Sequence, residues 1–163
     1  MAITLGADTY VTLTDANTYW SDRNNSTWSA ASDADKEKAL REATQYLDGA
    51  YEFLGNITSI SQSLAWPRSG VVISEGNFDG VVYQDTDYPK FLTQACNELA
   101  LDALSARLRP SQERGGKVVK EKVDVIEVEY SEFAPSQKTF DFVTLLLKPI
   151  VKGFAGQLKL VRV

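Results

Sequence analysis

Pro67 places the tightest constraint on this chain. It closes the run Gln62-Ser63-Leu64-Ala65-Trp66-Pro67, with Arg68 next. The pyrrolidine ring fixes φ at Pro67 and pushes Trp66 toward an extended backbone. Any helix arriving from the N-terminal side must stop near Ala65. Leu64 and Trp66 then alternate around Ala65 and point one way from an extended segment. Trp66 can bury a large area, and Arg68 can hydrogen-bond carbonyls or stack on a ring. Two uses fit this chemistry. Gln62, Leu64, Trp66, Pro67 and Arg68 form a structural clasp between two helical stretches, or they make an aromatic-plus-arginine contact for a base or a partner. The clasp is preferred, because Trp in such a setting usually packs.

The flanking stretches carry helical periodicity. Tyr10, Val11 and Leu13 make an extended lead-in over 8–13. Thr14 is expected to cap a short helix ending near Arg23, with Asp15 in its first turn and Ala16, Tyr19 and Trp20 on one face. Ser32 and Asp35 form a capping box with Asp in place of Glu. The helix they open runs from about Ala34 to Leu54, with Leu40, Ala43, Leu47, Ala50, Tyr51 and Leu54 at three- and four-residue spacings. Gly55 stands at the expected C′ position. The opposite side, with Lys36, Glu37, Lys38, Arg41 and Glu42, reads as a solvated face.

Beyond Arg68, Val71 to Ile73 and Val81 to Tyr83 can pair as a small hairpin across Gly76 to Gly80, or the stretch forms an ordered loop. Asp85 and Asp87 could be carboxylate ligands for a metal. The better reading has Asp87 capping the next helix, with Pro89 in its first turn. That helix spans about Pro89 to Leu108, and Arg109-Pro110 ends it. Its lone Cys96 lies in the apolar pattern and reads as a buried small hydrophobe. Gly115-Gly116 sits in a loop with no strand–glycine–helix context for phosphate.

The C-terminal third turns β-patterned. Over Lys117 to Tyr130, Val123 and Val125 share one face, whereas Ile126, Val128 and Tyr130 share the other. This face switch predicts a bulge, or a strand contacted on both sides. Residues 139–147 form a dense apolar helix expected to pack on the bundle. The tail Gln157 to Val163 alternates as a terminal strand and needs an edge to pair with. The fold expected is mainly α: one domain over 1–163, a bundle of three to four helices with a small C-terminal β element. The helical core covers about 8–110 and 138–152, the β-rich arm about 111–137 and the tail 153–163.

Chemistry is scarce. The chain has no histidine, so it lacks the commonest general base and metal ligand. It carries no Walker, Rossmann, zinc-protease or paired-cysteine motif. No cofactor, metal site or enzyme activity is expected. A net charge of −5 argues against a broad basic face for duplex DNA or an anionic membrane, and leaves room for a small local patch. No apolar run approaches the length of a membrane span.

The segment Gln-x-Leu-x-Trp-Pro-Arg follows a helix that reads Asp-Lys-Glu-Lys-Ala-Leu-Arg-Glu-Ala-Thr-Gln-Tyr-Leu-Asp from Asp35 to Asp48. Tyr19 and Trp20 precede it, as does Trp28 with Ser29 to Asp33. In this order the elements resemble a family of small phage and prophage proteins. Some of its members are labelled primosomal DnaT-like single-stranded-DNA-binding proteins, and they are similar to the head–tail connectors, or adaptors, of tailed phages. The likeness covers residues 8–110 best. It implies a virion protein, made in the host cytoplasm, whose copies close into a ring (often a dodecamer) below the portal. DNA passes through that ring without specific binding, and a tail or stopper protein docks beneath. It further implies that the β arm (Val123, Val125, Ile126, Val128, Tyr130) and the tail (Leu158, Lys159, Leu160, Val161, Arg162, Val163) contact neighbouring subunits and the portal. The alternative is a single-stranded-DNA-binding module, with Trp20, Trp28, Trp66 and Arg68 as stacking and phosphate contacts.

Overall fold

The computed structural model describes residues 2–73, 80, 82–84, 86, 88–109, 120–123, 126–129 and 139–152, with 120–129 described by its backbone pairing. The helices are α1 (Leu13–Ser21), α2 (Ser26–Ala30), α3 (Asp33–Ala50), α4 (Lys90–Ser105) and α5 (Asp141–Leu147), the last continued by a 3-10 turn over Lys148–Ile150. Two small antiparallel sheets accompany them: β1 (Asn56–Ile57) with β2 (Arg68–Ser69), and β3 (Lys120–Val123) with β4 (Ile126–Glu129). A mainly helical bundle with small β elements is therefore the fold.

The helices start where hydroxyls can cap them. Ser32 Oγ accepts the Asp35 N–H at 3.2 Å and donates to the Asp35 carboxylate at 2.6 Å. The same box opens α1, but two residues before the expected place. Thr12, not Thr14, accepts the Asp15 N–H at 3.1 Å and donates to its carboxylate at 2.7 Å. The three-residue spacing to Asp15 decides this, since only Thr12 can reach both groups. α4 departs further from expectation. Its N-cap is Pro89, whose carbonyl accepts the N–H groups of Leu92 and Thr93, and no side chain caps it. Asp85 and Asp87 lie outside the described residues.

α3 and α4 form the central pair. Ala39, Leu40, Ala43 and Leu47 on α3 meet Leu92, Ala95, Cys96, Leu99 and Ala100 on α4, all buried. α5 packs on α4 through Val143 and Leu147, and α1 and α2 bring Trp20 and Trp28 against one end. Cys96 is fully buried, with the Thr44 hydroxyl 3.5 Å from its sulfur, and burial pushes its thiol up to about 11. It is the expected small hydrophobe.

α3 ends at Ala50, four residues short of the expected Leu54. Tertiary pairing takes over from helix propensity there. Phe53 bridges Val151, the Leu54 N–H reaches the Ile150 carbonyl at 2.9 Å, and the Lys152 N–H reaches Glu52 O at 2.7 Å. Phe53 itself is buried, its ring edge-on to Trp66. Gly55, with φ +71°, is thus a turn residue and not the helix's C′ glycine. A Cβ there would collide with the Ser69 carbonyl and a Val71 methyl. α4 likewise stops at Ser105, because Ala106 turns extended and Leu108 folds back onto α3.

Three other expectations change. Among the described residues of 71–83, the pairing is an antiparallel Val72–Val82 bridge flanked by Tyr83 N–H to Val71 O at 3.1 Å and Gly80 N–H to Ile73 O at 2.7 Å. Within the 117–130 stretch, the described residues 120–123 and 126–129 pair antiparallel and do not form one bulged strand: Lys120 pairs with Glu129 and Val123 with Ile126. Finally, α5 does not bury its whole apolar run. A two-turn helix has one inward face, and Phe142 and Leu145 on the other stay 56% and 65% exposed.

The two capping boxes are far apart and should act independently. Ser32→Ala and Thr12→Ala are each expected to cost about 1 kcal/mol in urea unfolding, with additive losses in the double variant.

Candidate functional site

Gln62 to Arg68 lie on the loop that follows α3. α3 leaves the core at Ala50, and β1 and β2 pin the two ends of the loop that returns, with Ile57 opposite Arg68. Gln62 staples the loop from inside. Its Oε1 accepts the Thr58 N–H, the Thr58 hydroxyl and the Ser59 N–H, each at 3.0 Å. Its Nε2 donates to Leu64 O at 2.7 Å and to Pro67 O at 3.2 Å. The Trp66–Pro67 peptide is cis. Arg68 then spreads its guanidinium over three carbonyls: Leu54 at 2.6 Å, Gly55 at 2.7 Å and Ala65 at 3.2 Å. Leu64 is partly buried against the core, and Trp66 is fully buried, edge-on to Phe53 and Tyr83.

The clasp is moored to α3 by Asp48. One carboxylate oxygen accepts the Ala65 N–H at 3.1 Å, and the other accepts the Tyr10 hydroxyl. The Tyr10 oxygen in turn accepts the Trp66 N–H at 3.3 Å. Burial, then the neighbouring Asp48 charge, pushes the Tyr10 phenol far above its ordinary value, so it remains a donor. Burial also raises the Asp48 carboxyl above its ordinary 3.8, opposed by the bonds from Tyr10 and Ala65 and by Arg68. These hydrogen bonds join the N-terminal lead-in, α3 and the Trp-Pro loop to one another.

The aromatic reading of the site is corrected by the same geometry. Trp20, Trp28 and Trp66 are all buried. Trp28 donates from Nε1 to Asn17 Oδ1 at 2.9 Å and lies beneath Lys36, while Trp20 packs between Tyr19 and Trp28. None offers a face to a base, and Arg68 is committed to carbonyls. Residue type alone points to them as DNA contacts, but it does not report burial.

A different surface comes together that the sequence did not reveal. Lys38, Arg41, Glu42 and Tyr46 line successive turns of α3, and the chain leaving α4 lays Arg107 and Arg109 alongside. They bound an open groove of about 420 Å³. Leu108 holds it: its side chain is buried and its N–H donates to Glu42 Oε1 at 2.8 Å. An extended backbone with Leu108 turned inward sends its neighbours outward, so both arginines are exposed. The signal in the sequence is Arg107-Leu108-Arg109 near the end of the helical pattern, where Arg109-Pro110 marks only a terminus. The second groove, beside Tyr10, Tyr19 and Tyr88, mixes Asp15, Asp22 and Arg23 and has no dominant sign.

Of the expected partner-contact residues, Val123, Ile126 and Val128 lie in the β3–β4 hairpin. Val125, Tyr130 and the tail Leu158, Lys159, Leu160, Val161, Arg162 and Val163 lie outside the described residues. Among the described residues, no cluster of acidic or cysteine side chains is arranged to hold a metal ion.

A family model described as "Putative DnaT-like ssDNA binding protein" matches residues 2–163. No curated protein and no solved structure matches the chain.

Asp48→Asn should destabilise the fold by about 1–3 kcal/mol, because an amide supplies one acceptor where two donors arrive. A raised carboxyl means that the folded chain keeps this proton to higher pH than the unfolded chain. Its stabilising contribution is present in acid and is lost as pH rises through the folded value. In unfolding titrations, the gap between the native chain and Asp48→Asn should therefore narrow as pH rises above 3.8. A widening gap would mean that the hydrogen bonds outweigh burial.

Proposed function

We propose, from the premise that this chain belongs to that family, that it is a structural subunit of a phage virion. In this reading it is a head–tail connector, and copies close into a ring below the portal and pass DNA through the centre. The observation that carries the reading is α5. Val143 and Leu147 seat this helix on the bundle, whereas Phe142 and Leu145 stand in solvent on its outer side. Large apolar side chains exposed together on one short helix support a protein-docking surface. The β3–β4 hairpin adds to it. Its strands pair only with each other among the described residues, which leaves outer edges able to accept a neighbour's strand. A closed ring needs such unlike surfaces, because each subunit must present one to the left and another to the right. The net charge of −5 suits a channel that DNA slides through without being gripped. The tail 157–163 would contact the portal, and a tail or stopper protein would dock below. No enzymatic step is assigned to the chain.

One observation supports a second reading, in which the protein binds single-stranded DNA as the family description says. The groove of Lys38, Arg41, Arg107 and Arg109 is the described surface with the chemistry for phosphates. The buried tryptophans weigh against it, since they remove the expected stacking platform.

Capture on immobilised portal rings tests the first reading. The full chain should be retained. Deletion of Gln157 to Val163, or Phe142→Ser with Leu145→Ser, should lower retention at least about tenfold with little change in thermal melting. Retention of the truncated chain at native affinity would remove the tail from the interface, and failure of the full chain to bind would overturn the reading.

A further inference from the structure

We propose that the groove between α1 and α4 receives Arg107 and Arg109 of a second copy of this chain. The contact rests on the connector reading, as one joint of the ring. Its centre is Asn97, midway along α4. Among the described residues the buried polar side chains are Thr9, Lys36, Thr44 and Asn97. The Thr9 hydroxyl donates to Val11 O at 2.8 Å, Lys36 pairs with Asp33 at 3.6 Å, and the Thr44 hydroxyl meets the Cys96 sulfur at 3.5 Å. Asn97 is only 3% exposed, and its carboxamide oxygen has no partner. An acceptor left this way costs free energy, so a donor that reaches it is bound the more strongly. The indole nitrogens of Trp20 and Trp66 are also without partners, but those rings do not line this groove.

The groove, of about 390 Å³, surrounds Asn97 with further acceptors. Asp15 and Asp22 line it from α1 and stand exposed, about 10 Å apart along the helix axis. Asp15 gives one oxygen to the Thr12 hydroxyl and keeps the other. Arg23 is the cation of the groove, and it is engaged: its guanidinium lies 3.5 Å over the Tyr19 ring and donates to Tyr19 O at 2.9 Å. With the charges so nearly balanced, hydrogen-bond demand selects the occupant. Two carboxylates and a carboxamide need N–H donors, and Leu5 and Tyr88 wall the groove with apolar surface. An arginine answers both, with a forked donor on a methylene stem. The carboxamide torsion is soft, so an entering donor can draw the Asn97 oxygen round. A phosphate would meet two carboxylates there.

Arg107 and Arg109 are presented for such a contact. Both are exposed, on extended backbone past the end of α4. Leu108 between them is buried, and its N–H donates to Glu42 Oε1 at 2.8 Å, so the segment is fixed before it binds. Two residues of extended chain span about 7 Å, a spacing that long arginine side chains can widen to that of Asp15 and Asp22. The arginines line the groove on α3 and the acceptors line the groove on α1. One subunit therefore carries the two halves of the contact on different surfaces, and the pairing is head-to-tail, as a closed ring requires.

Full-length variants test the contact by sedimentation velocity at low salt, where the native chain should self-associate. Asn97→Leu removes the orphaned acceptor and changes no charge. It should melt at least as high as the native chain, yet associate at least about tenfold more weakly. A purely structural Asn97 would not produce that split. Asp22→Arg alone, and Arg107→Asp with Arg109→Asp, should each weaken association by a similar factor, since like charges then meet. An equimolar mixture of these two variants should recover native association, because each altered surface meets its complement. Melting curves check that every variant folds. If the native chain forms rings but the mixture stays dissociated, or Asn97→Leu associates as the native chain does, this contact is wrong while the connector reading stands. If the native chain is monomeric at every concentration, the inference falls, and capture on portal rings decides the connector reading separately.

Discussion

The Asp48 carboxylate is the joint on which the rest of this structure depends. It stands at the end of the longest helix, where it gathers the Ala65 N–H and the Tyr10 hydroxyl, and Tyr10 passes the contact on to the Trp66 N–H. Three chain segments far apart in sequence meet there: the N-terminal lead-in, the last turn of α3 and the Trp-Pro loop. Half-buried backbone donors would be costly without such acceptors. Arg68 does the complementary work, giving donors to three carbonyls that the loop leaves without strand partners. With both ends satisfied, Trp66 can sit in the core between Phe53 and Tyr83.

How much of this could be read from the residues varied with the range of the interaction. Local chemistry was legible. The Ser32–Asp35 box, the apolar faces of α3 and α4 and the burial of Cys96 all follow from spacing within a few residues. Helix ends set by distant partners were not. Ala50 ends α3 because residues 52–54 pair with 150–152, and nothing near Ala50 announces that. The chain reversal between Val123 and Ile126 left a trace in the sequence, the switch of faces, but the trace fits a bulge equally well. The basic groove was hidden for a similar reason. Lys38 and Arg41 belong to an ordinary solvated helix face until Leu108, more than sixty residues on, brings Arg107 and Arg109 beside them.

The distribution of roles follows from this architecture. Side chains with the most distinctive chemistry, the three tryptophans and Arg68, are spent inside the fold. Among the described residues, what lies outside includes an apolar helix face at Phe142 and Leu145, a self-paired hairpin and a groove lined by Lys38, Arg41, Arg107 and Arg109. In the reading proposed above these are surfaces for docking. They support an assembly role better than a stacking platform for bases, and they give the family's nucleic-acid description a narrower basis than its aromatic residues suggest.

Sedimentation velocity of the pure chain with a labelled single-stranded oligonucleotide, at low salt, tests that division most directly. If the tryptophans are core and the surface serves assembly, the oligonucleotide sediments as free strand. Co-sedimentation that salt abolishes would contradict the account and return the function to nucleic-acid binding.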